Sequence, residues 1–143
     1  VIQSIDGISL QAATCCHPVP GDRIIGQMRG GHGLSVHRMD CETARKQISR
    51  DAERWIDVEW DEEVSGMFRT LIEITADDER GILGRIASEI TASNADILQV
   101  AMDTESEQVA IIRFTLQVQD RDHLAEVFRR LRKLPQTRTI TRA

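Results

Sequence analysis

Apolar and polar positions follow two different rhythms along this 143-residue chain, and the change falls near Asp61-Glu62-Glu63-Val64-Ser65-Gly66. The later rhythm is the more regular. Phe68 to Ala76 predicts a strand with Phe68, Ile72 and Ile74 on one face, and Arg80 to Ser93 sets Ile82, Leu83, Ile86, Ala87 and Ile90 at helical spacing. Ile97 to Thr104 puts Leu98, Val100 and Met102 on one strand face, and Val109 to Val118 does the same with Ala110, Ile112, Phe114, Leu116 and Val118. Asp120 is placed to cap a helix whose stripe is Leu124, Val127, Phe128, Leu131 and Leu134. Arg129, Arg130, Arg132 and Lys133 sit near that helix's negative C-terminal pole. A last strand falls within Thr137 to Thr141.

Before the acidic run the pattern is short-ranged. Ile8 to Ala13, Ile24 to Arg29 and Leu34 to Met39 read as strands separated by Pro18-Val19-Pro20-Gly21-Asp22 and by Gly30-Gly31-His32-Gly33. Asp40 is a candidate cap for a helix from about Cys41 to Arg50, with Ala44 and Ile48 on the face of Cys41. Trp55 to Trp60 predicts one more strand. The fold class expected is α+β in two domains. Residues 1–64 form a small β-rich domain with one helix. Residues 65–143 form a strand-helix-strand-strand-helix-strand domain, the ferredoxin-like βαββαβ order with a four-stranded antiparallel sheet.

Net charge is −5, divided as −4 before residue 65 and −1 after it. That balance argues against general nucleic-acid binding, which rests on cations displacing counterions, and leaves only local contacts open. No stretch approaches the length of a membrane span, and the N-terminus lacks the basic and apolar regions of a signal peptide. Val1 in place of an initiator Met points to a piece of something longer. Three cysteines, two of them adjacent, do not form the even, spread set of a secreted scaffold, so a reducing cytoplasmic setting is expected.

Those cysteines carry the candidate chemistry. Cys15, Cys16, His37 and Cys41 together offer three thiolates and one imidazole, a set suited to tetrahedral Zn²⁺. His37 and Cys41 span a strand-to-helix junction, where the helix dipole favours a thiolate. The other readings are small buried core thiols, or a redox pair of Cys15 and Cys16. Consecutive strand residues point to opposite faces, which argues against joint chelation, and a vicinal disulfide departs from ordinary bridge geometry. His17 and His32 read as loop residues, and the Pro18 to Asp22 turn as structural. Gly30, Gly31 and Gly33 do not make a phosphate loop, since no Lys-Ser/Thr follows.

The string Ala13-Thr14-Cys15-Cys16-His17-Pro18-Val19-Pro20-Gly21-Asp22-Arg23-Ile24-Ile25-Gly26, with Gly31, Gly33 and Val36-His37-Arg38-Met39-Asp40-Cys41, resembles the C-terminal region of long RelA/SpoT-type (p)ppGpp synthetase/hydrolases of the stringent response. In that family a RIS, or zinc-finger, domain precedes an ACT domain, and Asp77-Asp78-Glu79-Arg80-Gly81-Ile82-Leu83 resembles an ACT first loop. Arg80 departs from the Pro that many such loops carry. The resemblance implies a non-catalytic regulatory region acting on an N-terminal catalytic half. In the family that half holds a His-Asp hydrolase cluster and a nucleotidyltransferase-like synthetase pocket, both absent from this chain.

By the same resemblance an amino acid would lie between Asp78, Gly81, Ile82 and Leu83 and a partner's Asn94, Ala95, Asp96 and Ile97. Backbone N–H groups at the helix start would take its carboxylate. Aliphatic walls favour valine, then leucine or isoleucine, and an ACT homodimer is implied. The plain alternative makes these residues a cap, a turn and core. A rival regulatory role is docking to ribosome, tRNA or another protein, with Arg23, Arg29, Arg38, Arg45 and Lys46 as candidate RNA contacts, whose alternative is a solvated surface. A small thiol or zinc enzyme built on the cysteines is the remaining rival; apart from His37 it lacks a proton-transfer partner.

Overall fold

The computed structural model describes residues 10–29, 33–104 and 106–143. The chain divides into two compact units, Val1–Val64 and Ser65–Ala143.

The first unit contains β1 (Leu10–Ala12), β2 (Ile24–Met28), β3 (Leu34–Arg38), α1 (Glu42–Arg50), a 3₁₀ turn (Ala52–Arg54) and β4 (Trp55–Asp57). The sheet order is β1-β3-β2-β4, with β1 parallel to β3 and the other pairs antiparallel. Of the expected segments, Ile8, Ser9, Gly30, Gly31 and His32 lie outside the described residues.

Strand alternation gives the sheet two apolar faces. Ile24, Leu34 and Val36 pack with Val58 and Trp60 on one. Ala13, Cys16, Cys41, Ala44 and Trp55 gather on the other, with Ile25 and Ile48 against them. His37 is the cross-strand partner of Ile25, so it shares this second face with α1. Gly26 lets the first face close, because a Cβ there would meet Val58 Cγ1 at 3.0 Å and Leu34 Cδ2 at 3.2 Å.

The Pro18 to Asp22 turn is built as a latch. Asp22 Oδ2 accepts the Val19 N–H at 2.8 Å, and Gly21 takes φ 98°. The Trp60 indole N–H donates to the Asp22 carbonyl at 3.0 Å. The strand predicted for Trp55 to Trp60 ends at Asp57, so Trp60 makes that bond from beyond the observed strand.

The second unit runs β5 (Phe68–Asp77), α2 (Ile82–Ala92), β6 (Asp96–Thr104), β7 (Val109–Val118), α3 (Arg121–Arg132) and β8 (Thr137–Arg142). Its antiparallel sheet has the order β6-β7-β5-β8, as the ferredoxin-like arrangement requires. Ile72, Ile74 and Ala76 of β5 and Ala110, Ile112, Phe114, Leu116 and Val118 of β7 are buried. Ile82, Ile86 and Ile90 of α2 and Leu124, Val127 and Leu131 of α3 are buried with them. Asp120 Oδ1 accepts the His123 N–H at 2.8 Å, so the cap read from the sequence is present. Helix α2 begins two residues later than Arg80, because Gly81 at φ 81° is its N-cap.

The edge strand departs from expectation. Val100 and Met102 stand opposite buried Phe114 and Ile112, yet Leu98, Val100 and Met102 are each 42% exposed. The register shifts between Ile97 and Gln99, so Leu98 falls in an irregularity rather than in simple alternation.

Candidate functional site

Cys15 and Cys16 lie in the turn after β1, His37 near the end of β3 and Cys41 at the N-cap of α1. The objection from strand geometry therefore falls, since the adjacent cysteines are in a turn and need not diverge. His17, at φ 45°, completes that turn through a 2.9 Å bond from its N–H to the Ala13 carbonyl. Cys15 Sγ lies 3.3 Å from His37 Nδ1, 3.6 Å from Cys41 Sγ and 4.0 Å from Cys16 Sγ, and Cys16 Sγ is 3.9 Å from His37 Nδ1. All four ligand atoms lie within 4.8 Å of one another. Zn–S bonds of about 2.3 Å in a tetrahedron require sulfur-to-sulfur edges of roughly 3.8 Å, so only small movements separate this cluster from a metal shell.

The surroundings suit that use. His37 Nε2 is 3.4 Å from Ser35 Oγ; with the proton on Nε2, the Nδ1 lone pair faces the sulfurs. The ring also tilts against Trp55 at a centroid distance of 5.2 Å. Burial, and then the charge of Arg29, hold the His37 pKa below the usual histidine value, which keeps the imidazole neutral. Burial raises the Cys41 thiol, but the Ala44 and Thr43 N–H groups and the neighbouring thiols outweigh it and leave its pKa lowered. Burial pushes Cys16 up to about 12 despite the Arg38 N–H that its sulfur accepts at 3.3 Å. Burial and the adjacent Cys41 raise Cys15 as well.

Asp40 is not the cap of α1. It is exposed and faces Arg38 at 3.7 Å, while Cys41 occupies the N-cap. Cys41 is 5% exposed and Cys16 1%, so both also serve as core residues, and the sequence alternatives of core thiol and ligand coincide in them. A cavity of about 300 Å³ opens beside the cluster, walled in part by Cys15, His37, Arg29, Thr43 and Gln47.

The ACT-type candidates divide by burial. Asp78, Gly81, Leu83, Asn94 and Asp96 are exposed and Ile97 half-buried, whereas Ile82 is 2% and Ala95 3% exposed. The side chains of Ile82 and Ala95 therefore belong to the core and cannot wall a ligand within one copy. The Ile82 N–H is already bonded to the Glu79 carbonyl at 3.1 Å, which removes one of the donors that a helix start leaves open. The two loops sit at opposite ends of α2, whose 11 residues span roughly 16 Å. A single copy does not bring them together.

The basic candidates are dispersed. Arg23 and Arg38 lie at one end of the β2–β3 ladder and Arg29 at the other; Arg45 and Lys46 are exposed on α1, Arg45 bonding the Met39 carbonyl at 3.4 Å. Sequence reasoning missed Asp22 as a buried latch and Ser35 as the partner of His37. The signal for Ser35 was its place two residues before His37, on the same strand face.

Residues 1–61 match the RelA/SpoT RIS domain and residues 65–142 the ACT domain. The chain is 36% identical over 132 residues to a GTP pyrophosphokinase of Streptomyces coelicolor, covering 92% of this chain and 16% of that protein. It is 35% identical over 128 residues to the bifunctional (p)ppGpp synthase/hydrolase RelA of Mycobacterium tuberculosis, covering 90% and 17%. A GTP pyrophosphokinase of Escherichia coli is 31% identical over 136 residues, covering 94% and 18%. The chain thus spans under a fifth of these relatives' length. The crystal structure of the ACT domain from a Chlorobium tepidum GTP pyrophosphokinase aligns with 55% of this chain and all of its own, at 20% identity and a TM-score of 0.49.

Proposed function

Since this chain belongs to the RelA/SpoT family, as a RIS domain followed by an ACT domain, we propose that it is a regulatory region of a (p)ppGpp synthetase/hydrolase. Its ACT unit binds a branched-chain amino acid, valine foremost, and biases the parent enzyme between synthesis and hydrolysis. The observation that carries this reading is the placement of the two candidate loops at opposite ends of α2, beside an edge strand with an apolar stripe. Antiparallel pairing of two β6 strands about Val100 brings Met102 of each copy toward the irregular Leu98 end of the other. The same two-fold turns the Gly81 end of one α2 toward the Asn94 end of its partner.

A free amino acid held there has its carboxylate at the start of α2 and its ammonium group at Asp78 or Asp96. Leu83 and Ile97 form the aliphatic wall. The ligand acts on the parent enzyme only by preferring one of its states, and the paired form is the state that contains the site. Calorimetric titration with valine, leucine, isoleucine and, as a control, aspartate tests this. A saturable heat for the branched-chain set alone supports it, and no heat for any refutes it.

A second reading concerns the first unit, where Cys15, Cys16, His37 and Cys41 would hold one Zn²⁺. A four-ligand site of this kind leaves no open position, so the ion would supply cross-linking of the β1–β2 turn, β3 and α1 rather than chemistry. It would give a rigid surface for a macromolecular partner such as ribosome or tRNA. Arg23, Arg29, Arg45 and Lys46 are the exposed members of the basic set to test there by salt-dependent binding. Neither unit is assigned a catalytic step. Among the described residues no helix is long and apolar enough to cross a membrane.

A further inference from the structure

We propose that Cys15 and Cys41 form a reversible disulfide when the cysteine–histidine cluster is metal-free, which makes the first unit a site of oxidation by peroxides. Cys15 is exposed and stands on the wall of the cavity of about 300 Å³, so a small oxidant reaches its sulfur. Cys41 lies behind it, 5% exposed, with its Sγ 3.6 Å away, closer than the 4.0 Å that separates the Cys15 and Cys16 sulfurs. Cys16 is the poorer partner on two counts. Its sulfur accepts the Arg38 N–H at 3.3 Å, and union with Cys15 demands the strained vicinal ring.

The step balances as a two-electron oxidation. The Cys15 sulfur attacks a peroxide oxygen, the O–O bond breaks and one water leaves, which gives a sulfenic acid. The Cys41 sulfur then attacks the Cys15 sulfur, the S–O bond breaks and a second water carries away the oxygen and the thiol proton. The peroxide is reduced to two waters and the two thiols are oxidised to one disulfide. The bond removes two of the four donors, leaving Cys16 and His37, so a bound metal and the disulfide exclude each other. This part of the inference rests on the metal reading above; the disulfide itself does not.

The test uses the reduced, metal-free chain, treated with hydrogen peroxide, capped with an alkylating reagent and digested with trypsin. The expected product is a linked pair of the peptides 1–23 and 39–45, lighter by two hydrogens than their sum and separated by reductant. The link persists in Cys16→Ser and is lost in Cys15→Ser. Absence of the linked pair in the native chain, or its loss in Cys16→Ser with survival in Cys15→Ser, overturns the proposal. A parallel sample receives Zn²⁺ before peroxide. Protection there supports both the metal reading and the disulfide, whereas unchanged linkage refutes the metal reading and leaves the disulfide standing.

Discussion

Replacing Val100 with Lys separates pairing of the ACT unit from its folding. Val100 sits on the edge strand and is 42% exposed in a single copy. Full burial of a valine side chain contributes about 1.5–3 kcal/mol, so the part still exposed accounts for about 1 kcal/mol per copy on pairing. Two-fold pairing about Val100 doubles that to about 2 kcal/mol and brings two ammonium groups face to face near the axis. Such like-charge contacts cost several kcal/mol at an interface. At 1.4 kcal/mol per tenfold, a total loss of about 3 kcal/mol or more raises the dimer Kd at least about 100-fold.

Within one copy the part of Val100 already covered is worth about 1–2 kcal/mol, most of which the lysine stem keeps covered, so stability falls by about 1 kcal/mol or less. Sedimentation equilibrium over a concentration series, run beside thermal unfolding, reads both quantities. Val100→Lys is expected to be monomeric with a nearly native melting curve, and to lose valine binding with its dimer. Wild-type association in Val100→Lys would refute the pairing, as would a monomeric variant that still binds valine with native affinity.

Three further outcomes follow from the described contacts. Phe114→Ala empties the fully buried centre of the second sheet and lowers stability by about 3–5 kcal/mol in urea titration, against little change for Leu83→Ala on the exposed side of α2. Asp22→Ala removes the buried carboxylate that accepts the Val19 N–H and costs about 1–3 kcal/mol in the first unit, read by urea titration. The His37 pKa is lowered in the folded state, so the unfolded chain binds more protons below the ordinary histidine value of 6.5. The metal-free first unit therefore loses stability as pH falls from about 6.5 toward the folded pKa, and His37→Gln flattens that slope in denaturation followed across the range.

The second unit was legible in outline because each of its elements has one buried face, and period 2 or 3.6 reports that face directly. Asp120 was legible as a cap for the same reason: the polar residue precedes an unbroken apolar stripe, and its carboxylate indeed takes the His123 N–H. Leu98 was misplaced because a backbone irregularity between Ile97 and Gln99 leaves no mark in residue type. Ile82 reads equally as ligand wall or core because a helix-start residue can face either way, and Ala95 enters the candidate set only as part of the turn before β6; packing buries both.

In the first unit the donor set of the cluster could be named from residue chemistry, but not its geometry. The adjacency of Cys15 and Cys16 argues against shared coordination only for residues in a strand. His17 at positive φ bends that segment into a turn, a conformation that histidine adopts more readily than most non-glycine residues but that is invisible to periodicity. Asp40 outranks cysteine as a cap by propensity, yet Cys41 holds the position, buried among Ala13, Cys16, Ala44 and Trp55. Tertiary packing overrode the local preference there.

The most direct test of the amino-acid-sensing account is a two-dimensional amide NMR titration of the chain with valine. The account predicts saturable shifts at Gly81 and Leu83 together with Asn94 and Ile97, at the two ends of α2, with the Phe114 and Ile112 amides unmoved. Spectra that stay still at both ends of the helix, at valine concentrations that saturate no other residue, would contradict it.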